Sequence, residues 1–142
     1  MDISVQIVFD AADPPSLAEF WMAALDYVPE PPPKGFDSWT DFGHHIGMPE
    51  EQFGDQASAI DPAGVRPRLY FQKVPEGKTA KNRVHIDVQV GRGLQGDEYT
   101  ERVTAHVRKL EGLGATIAWQ ADDIRGSATV MRDPEGNEFC VC

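Results

Sequence analysis

Basic residues are scarce in this chain: 13 Lys and Arg stand against 23 Asp and Glu in 142 residues, a formal net charge of −10. A nucleic-acid partner is therefore disfavoured, because neutralising phosphates needs a basic face, and the one dense basic cluster is Lys78, Lys81 and Arg83. An anionic membrane surface would repel the chain for the same reason. Long apolar runs are missing as well. The N-terminus reads MDISVQIVFD, with an acid at position 2 and no basic region leading into an apolar stretch, so neither a secretory signal nor a membrane span is expected and a cytoplasmic location is. Cysteine is nearly absent. Cys140 and Cys142 lie two apart, where a strand holds both side chains roughly parallel on one face, which disfavours a mutual disulfide and offers no CxxC zinc spacing. What remains is ordinary: 41% hydrophobic and 25% charged residues suffice for a core, and the length suits one domain spanning 1–142.

The order of patterns along the chain predicts an α+β fold. Ile3, Val5, Ile7 and Phe9 alternate with Ser4, Gln6 and Asp10, as in a half-buried strand. Asp13-Pro14-Pro15 then caps and opens a helix whose Leu17, Phe20, Trp21, Ala24 and Leu25 share a face. Tyr27-Val28 begins a strand that Pro29 to Pro33 interrupts. Trp39, Phe42 and Ile46 behind Ser38 predict a short inserted helix over 38–46. Strands over 56–61 and 68–74 follow, joined by Asp61-Pro62-Ala63-Gly64.

The second half repeats this plan. A strand over 83–90 places Val84, Ile86, Val88 and Val90 on one face and Arg83, His85, Asp87 and Gln89 on the other. A helix over about 97–113 and strands over 115–119, 128–132 and 137–142 complete it, the last two joined by Asp133-Pro134-Glu135-Gly136. The plan divides into modules of about 1–78 and 79–142. The polar strand faces carry Gln6, Tyr70, Gln72, His85, Asp87, Glu138 and Cys140, an unusual concentration of chemistry for one side of a sheet.

This architecture resembles the vicinal oxygen chelate superfamily, the glyoxalase, bleomycin-resistance and extradiol-dioxygenase group, in its glyoxalase-like branch. The resemblance covers essentially the whole chain. It is carried by Gln6 before Asp13 and Phe20-Trp21, by Asp133-Pro134-Glu135-Gly136-Asn137 leading into the last strand, and by Lys81-Asn82-Arg83-Val84-His85-Ile86-Asp87. It implies two paired βαβββ modules forming a curved mixed sheet with a central cavity and outer helices. It also implies a divalent metal, zinc, nickel or iron, at Gln6, Gln72, His85 and the position four residues after the hairpin glycine. That last position is Cys140 here, where the family usually has a carboxylate. Amides are poor ligands, and Glu138 on the same strand face would have to reach in.

Each candidate has a plainer reading. His85 could be a buried histidine bonded to Asp87, or the two could form an oriented base as catalytic residues. Cys140 and Cys142 could be small core residues. Adjacent His44 and His45 on a helix point about 100° apart and suit a solvated edge. Trp39, Tyr70 and Gln72 suit recognition of a planar or oxygen-rich molecule, with Gln6, His85, Glu138 and Cys140 completing the ligand-binding set, and the inserted helix caps the cavity between hinges near Gly35 and Gly47. The expected function is binding of a small-molecule ligand for resistance or sequestration. The alternative is a metal-dependent lyase, isomerase or dioxygenase of the glyoxalase type. The resemblance further implies a homodimer.

Overall fold

The same four-residue turn appears twice, and it explains the strand order of both halves. Asp61-Pro62-Ala63-Gly64 and Asp133-Pro134-Glu135-Gly136 each bring a carboxylate back onto the backbone that follows it. In the computed structural model, which describes residues 1, 3–124 and 126–142, Asp61 is buried and accepts the N–H groups of Ala63, Val65 and Arg66 at 3.3, 3.1 and 3.0 Å, and an Arg66 guanidinium N–H at 2.8 Å. Asp133 is buried too, accepting from the backbone of Glu135 and Asn137 at 2.9 and 3.0 Å and from the Asn137 amide at 2.9 Å. Gly64 and Gly136 close the two turns at φ +68° and +87°, a conformation that strains residues bearing a Cβ.

The N-terminal module comprises Met1–Met22 and Asp26–Gly77. Its elements are β1 (Gln6–Ala11), α1 (Pro14–Leu25), β2 (Val28–Pro29), α2 (Trp39–His45), β3 (Gln56–Ile60) and β4 (Arg68–Lys73), with a 3-10 turn at Glu50–Gln52. The sheet runs β1-β4-β3-β2, so the last strand inserts between the first and third, parallel to β1 and antiparallel to β3. The second module, Lys78–Cys142 with the last turn of α1, Ala23–Leu25, has β5 (Asp87–Val88), α3 (Gly96–Glu111), β6 (Thr116–Asp123), β7 (Gly126–Arg132) and β8 (Glu138–Val141). Its order, β5-β8-β7-β6, is the same. The α+β expectation of two βαβββ units is met. No helix among the described residues is long and apolar enough to cross a membrane.

Helix α1 starts where Asp13 accepts the Ser16 N–H at 3.2 Å, with proline at its first turn. It stops at Asp26, which adopts the left-handed conformation. Its Trp21 lies 5.0 Å from Phe9 of β1, which in turn stacks on Phe71 of β4 at 5.0 Å, so one face of the sheet is sealed by aromatic packing. The second core buries Val103, Val107 and Leu110 of α3 and Met131, Phe139 and Val141 of the sheet.

Two strands differ from expectation. The first starts at Gln6, not Ile3, because its neighbour β4 starts at Arg68, opposite Gln6; Ile3 and Val5 are left exposed. The strand expected over 83–90 pairs only at Asp87 and Val88. In parallel register His85 and Ile86 lie opposite Glu138 and Phe139; the Ile86 carbonyl still accepts the Cys140 N–H at 3.0 Å, but Val84 falls opposite Asn137, ahead of β8, and is 85% exposed. The helix expected to reach Leu113 ends at Glu111.

Removing the Asp133 carboxylate leaves two backbone N–H groups and the Asn137 amide without their acceptor. Asp133→Ala should therefore lower unfolding stability by about 2 kcal/mol, the scale of buried donors losing a partner, read as a fall in the urea midpoint at unchanged slope. An unchanged midpoint would contradict this account of the turn.

Candidate functional site

A concavity lies in each module. In the N-terminal module it arises from an interrupted strand: Pro29 and the prolines at 31–33 cannot extend the ladder, so β2 pairs only with Ala59 and Ile60 of β3. One further bond, from the Glu30 N–H to the Ser58 carbonyl at 3.3 Å, continues the pairing. The chain then leaves the sheet and returns as α2, capped by Ser38, whose hydroxyl accepts the Asp41 N–H at 3.0 Å. Gly43 in α2 lets Phe53 come close; a Cβ there would lie 2.7 Å from the Phe53 ring.

The resulting cavity is about 490 Å³, with Trp39, Phe42, Ile46, Met48 and Phe53 on the α2 side, Ala18, Glu19 and Met22 of α1, and Glu30, Gln56, Ser58, Arg68 and Tyr70 at the sheet. Trp39 is fixed by its indole N–H, which donates to the Glu30 carbonyl at 2.7 Å, and it meets Phe42 edge to face. Helix α2 forms one wall of this cavity, which lies within the N-terminal module.

The polar floor is a chain of hydrogen bonds across in-register strands. Arg68 donates through Nε to both Glu30 oxygens at 3.0 and 2.9 Å, through a second nitrogen to Glu30 again, and through the third to Gln6 Oε1 at 2.6 Å. The guanidinium holds the Glu30 carboxyl below the usual carboxylate range, against the opposing effect of burial. Tyr70 donates to Gln56 Oε1 at 2.6 Å, and the Gln72 amide donates to Asp10 at 2.8 Å. Gln6 and Gln72 are therefore engaged by neighbours within their own sheet.

The second module has a more open basin of about 890 Å³, lined by His85, Asp87, Gln89, Tyr99, Cys140 and Cys142 among others. Parallel pairing sets Asp87 directly beside Cys140, and His85 Nε2 lies 3.4 Å from Asp87 Oδ1. Donor atoms of His85, Asp87 and Cys140 all lie within 4.8 Å of one another. Burial, then the Asp87 charge and its hydrogen bond, pushes the Cys140 thiol up to about 11. The Cys142 thiol is raised by burial and then by Asp87. Both are thus thiols at neutral pH, unsuited to act as nucleophiles.

The divalent metal implied by the fold family can be weighed on this donor set. Imidazole nitrogen, carboxylate oxygen and sulfur are all zinc ligands, and three of them converge, so the set fits, provided that Cys140 surrenders its proton. Glu138 does not join them. Its buried carboxylate accepts Lys78 Nζ and the Asn82 N–H, both at 2.9 Å, fastening the segment ahead of His85 to β8.

Of the residues singled out from sequence, Gln6, Tyr70 and Gln72 share the open face of the first sheet, and Trp39 joins Tyr70 at its cavity. His85, Asp87 and Cys140 meet in the second basin. Sequence reasoning missed Glu30 as the partner of Arg68; the two are 38 residues apart, and the only signal was that Arg68 alternates in phase with Tyr70 and Gln72. It also missed Glu19, Met48 and Phe53, whose roles depend on where α2 lands.

The family described as a glyoxalase-like domain matches residues 6–142. No curated protein matches. Among solved structures, hypothetical protein SA1046 from S. aureus is 14% identical, covering 99% of this chain and 96% of that one at a TM-score of 0.60. The fosfomycin resistance protein FosX from Mesorhizobium loti is 14% identical, covering 99% and 90% at 0.58. A possible glyoxalase from Bacillus cereus is 13% identical, covering 99% and 98% at 0.59. These likenesses are of fold.

The Glu138 latch has a pH signature. Hydrogen bonds from the Asn82 N–H and then Lys78 lower its pKa from 4.5 to about 2, so its contribution to stability is complete above pH 4.5 and is lost as pH falls through about 2. The difference in urea midpoint between the protein and Glu138→Gln should be largest above pH 4.5 and shrink toward pH 2. A difference constant across that range would contradict the latch.

Proposed function

The chain belongs to the glyoxalase-like domain family, and on that premise we propose that it is a small-molecule-binding protein of the vicinal oxygen chelate superfamily, serving resistance or sequestration. The observation that carries this reading is the cavity of about 490 Å³ beneath α2, where Trp39, Phe42 and Tyr70 offer aromatic walls and Ser58 and the Arg68–Glu30 pair offer polar anchors. Pockets of this size and make-up suit compounds with a planar apolar body and a few oxygens. Binding asks for nothing more than shape and anchors. A cytoplasmic homodimer is the form proposed.

A second reading is favoured by the convergence of His85, Asp87 and Cys140: a metal-dependent lyase, isomerase or dioxygenase of the glyoxalase kind. A divalent metal bound there would polarise a substrate carbonyl or enediolate. Of this chain's own groups, Asp87 stands where it can orient the His85 imidazole.

Two measurements separate the readings. Equilibrium dialysis against 2-naphthalenemethanol should show saturable binding that Trp39→Ala weakens about tenfold, on the scale of one lost aromatic contact of about 1.4 kcal/mol; binding unaffected by Trp39→Ala would contradict the cavity. Protein purified without a metal-affinity tag should carry less than stoichiometric zinc, nickel or iron. Near-stoichiometric metal lost in His85→Ala would favour the enzyme instead.

A further inference from the structure

The charge of this chain is unevenly distributed. Residues 1–77 hold 13 Asp and Glu against four Lys and Arg, a net −9, whereas residues 78–142 hold ten against nine, a net −1. Nearly the whole net charge of −10 therefore sits on the module that owns the cavity beneath α2. The segment that builds the α2 side, residues 30–56, has six acids and one base, Lys34.

Of the two acids that line the cavity, Glu30 is answered by Arg68 and, among the described residues, Glu19 is not. The one lining cation, Arg68, is already committed to Glu30 through three hydrogen bonds and to Gln6 through a fourth. Lys73 answers Asp55 at 3.3 Å, and His44 lies beside Glu50 at 3.4 Å, both pairs outside the lining. Glu19, on the exposed face of α1 at the cavity wall, has no ion-pair partner among the described residues. A low-dielectric cleft under a one-sign field concentrates ions of the opposite sign. The walls suit such an ion as well: Trp39, Phe42 and Phe53 present π systems that attract cations, while the Tyr70 ring already faces Arg68 at 5.4 Å, and the Met22 and Met48 thioethers are polarisable.

From these observations we infer that the N-terminal cavity selects an organic cation, an aromatic body bearing an ammonium or amidinium group. The inference rests on the small-molecule reading of this cavity and names its ligand class. An anion of the same shape meets the acidic field and finds the Arg68 charge already answered by Glu30; a neutral one keeps the aromatic walls and polar anchors but gains nothing from the field. Glu19 is the group that faces the cation, and Trp39 holds its ring.

Three naphthalene probes of similar size test this: 2-naphthylmethylammonium, 2-naphthalenemethanol and 2-naphthoate, each titrated calorimetrically into the full chain at low and at physiological ionic strength. The cation should bind about tenfold tighter than the neutral probe and the anion weakest, with the spread narrowing as salt screens the field over about 8 Å. Glu19→Gln should weaken the cation about threefold and leave the neutral probe unchanged, as removal of one partly solvated charge would. Ile46→Lys, at a 52% exposed lining position that tolerates a long side chain, should expel the cation while the neutral probe still binds. Thermal melts of each variant establish that it is folded.

The outcomes are distinguishable. If all three probes bind in a Trp39-dependent manner without preference for the cation, the ligand class is wrong and the cavity reading stands. If none binds, or if Trp39→Ala changes nothing, the cavity reading fails and the inference with it.

Discussion

A buried aspartate folded back on its own turn is the constraint on which both modules depend. By taking the N–H groups that follow it, Asp61 fixes the hairpin that sends β4 back into the gap between β1 and β3, and Asp133 does the same for β8 between β5 and β7. Inserting the last strand at the centre settles which side chains meet. Gln6, Val8 and Asp10 come opposite Arg68, Tyr70 and Gln72, and Asp87 comes opposite Cys140. Had either turn been one residue longer, the alternation would place Phe71 or Phe139 on the polar face and bury the site chemistry instead.

On this shared frame the modules carry different equipment. The first gives up strand pairing at a proline run and gains α2 in exchange, so an edge that would otherwise invite another strand is covered by aromatic side chains and becomes a cavity. The second keeps its edge strands and gathers an imidazole, a carboxylate and a thiol into an open basin. There burial, then the Asp87 charge, keeps the Cys140 thiol protonated, and the Glu138 carboxylate, a harder ligand, is spent on holding the 78–82 segment. Binding without covalent chemistry is the use that asks least of these groups.

Much of this was legible before any coordinates. Asp13 with its prolines, the Trp21 face of α1, and Ser38 ahead of Trp39 are local signals, and the helices begin where those signals stand. Alternation in β4 correctly put Tyr70 and Gln72 opposite Leu69 and Phe71. Ladder ends were not legible. Whether Ile3 or Val84 belongs to a strand depends on where the neighbouring strand begins, and the valine-rich stretch 83–90 is regular in sequence yet forms a ladder only at Asp87 and Val88, with one further bond to the Ile86 carbonyl. The Arg68–Glu30 pair and the cavity wall at Met48 and Phe53 were hidden for a related reason, since they depend on a long excursion returning to one particular sheet edge.

The proposed site holds its ligand beneath α2 at Trp39. The chain has three tryptophans, Trp21 buried between α1 and the first sheet, Trp39 at the cavity, and Trp119 on β6 of the other module. Incorporating 5-fluorotryptophan gives one fluorine resonance for each, with Trp39 assigned by its loss in Trp39→Phe. Titration with 2-naphthylmethylammonium should move the Trp39 resonance saturably and leave that of Trp119 in place. Saturable movement of Trp119 with Trp39 unmoved would contradict the account and relocate the site to the second module.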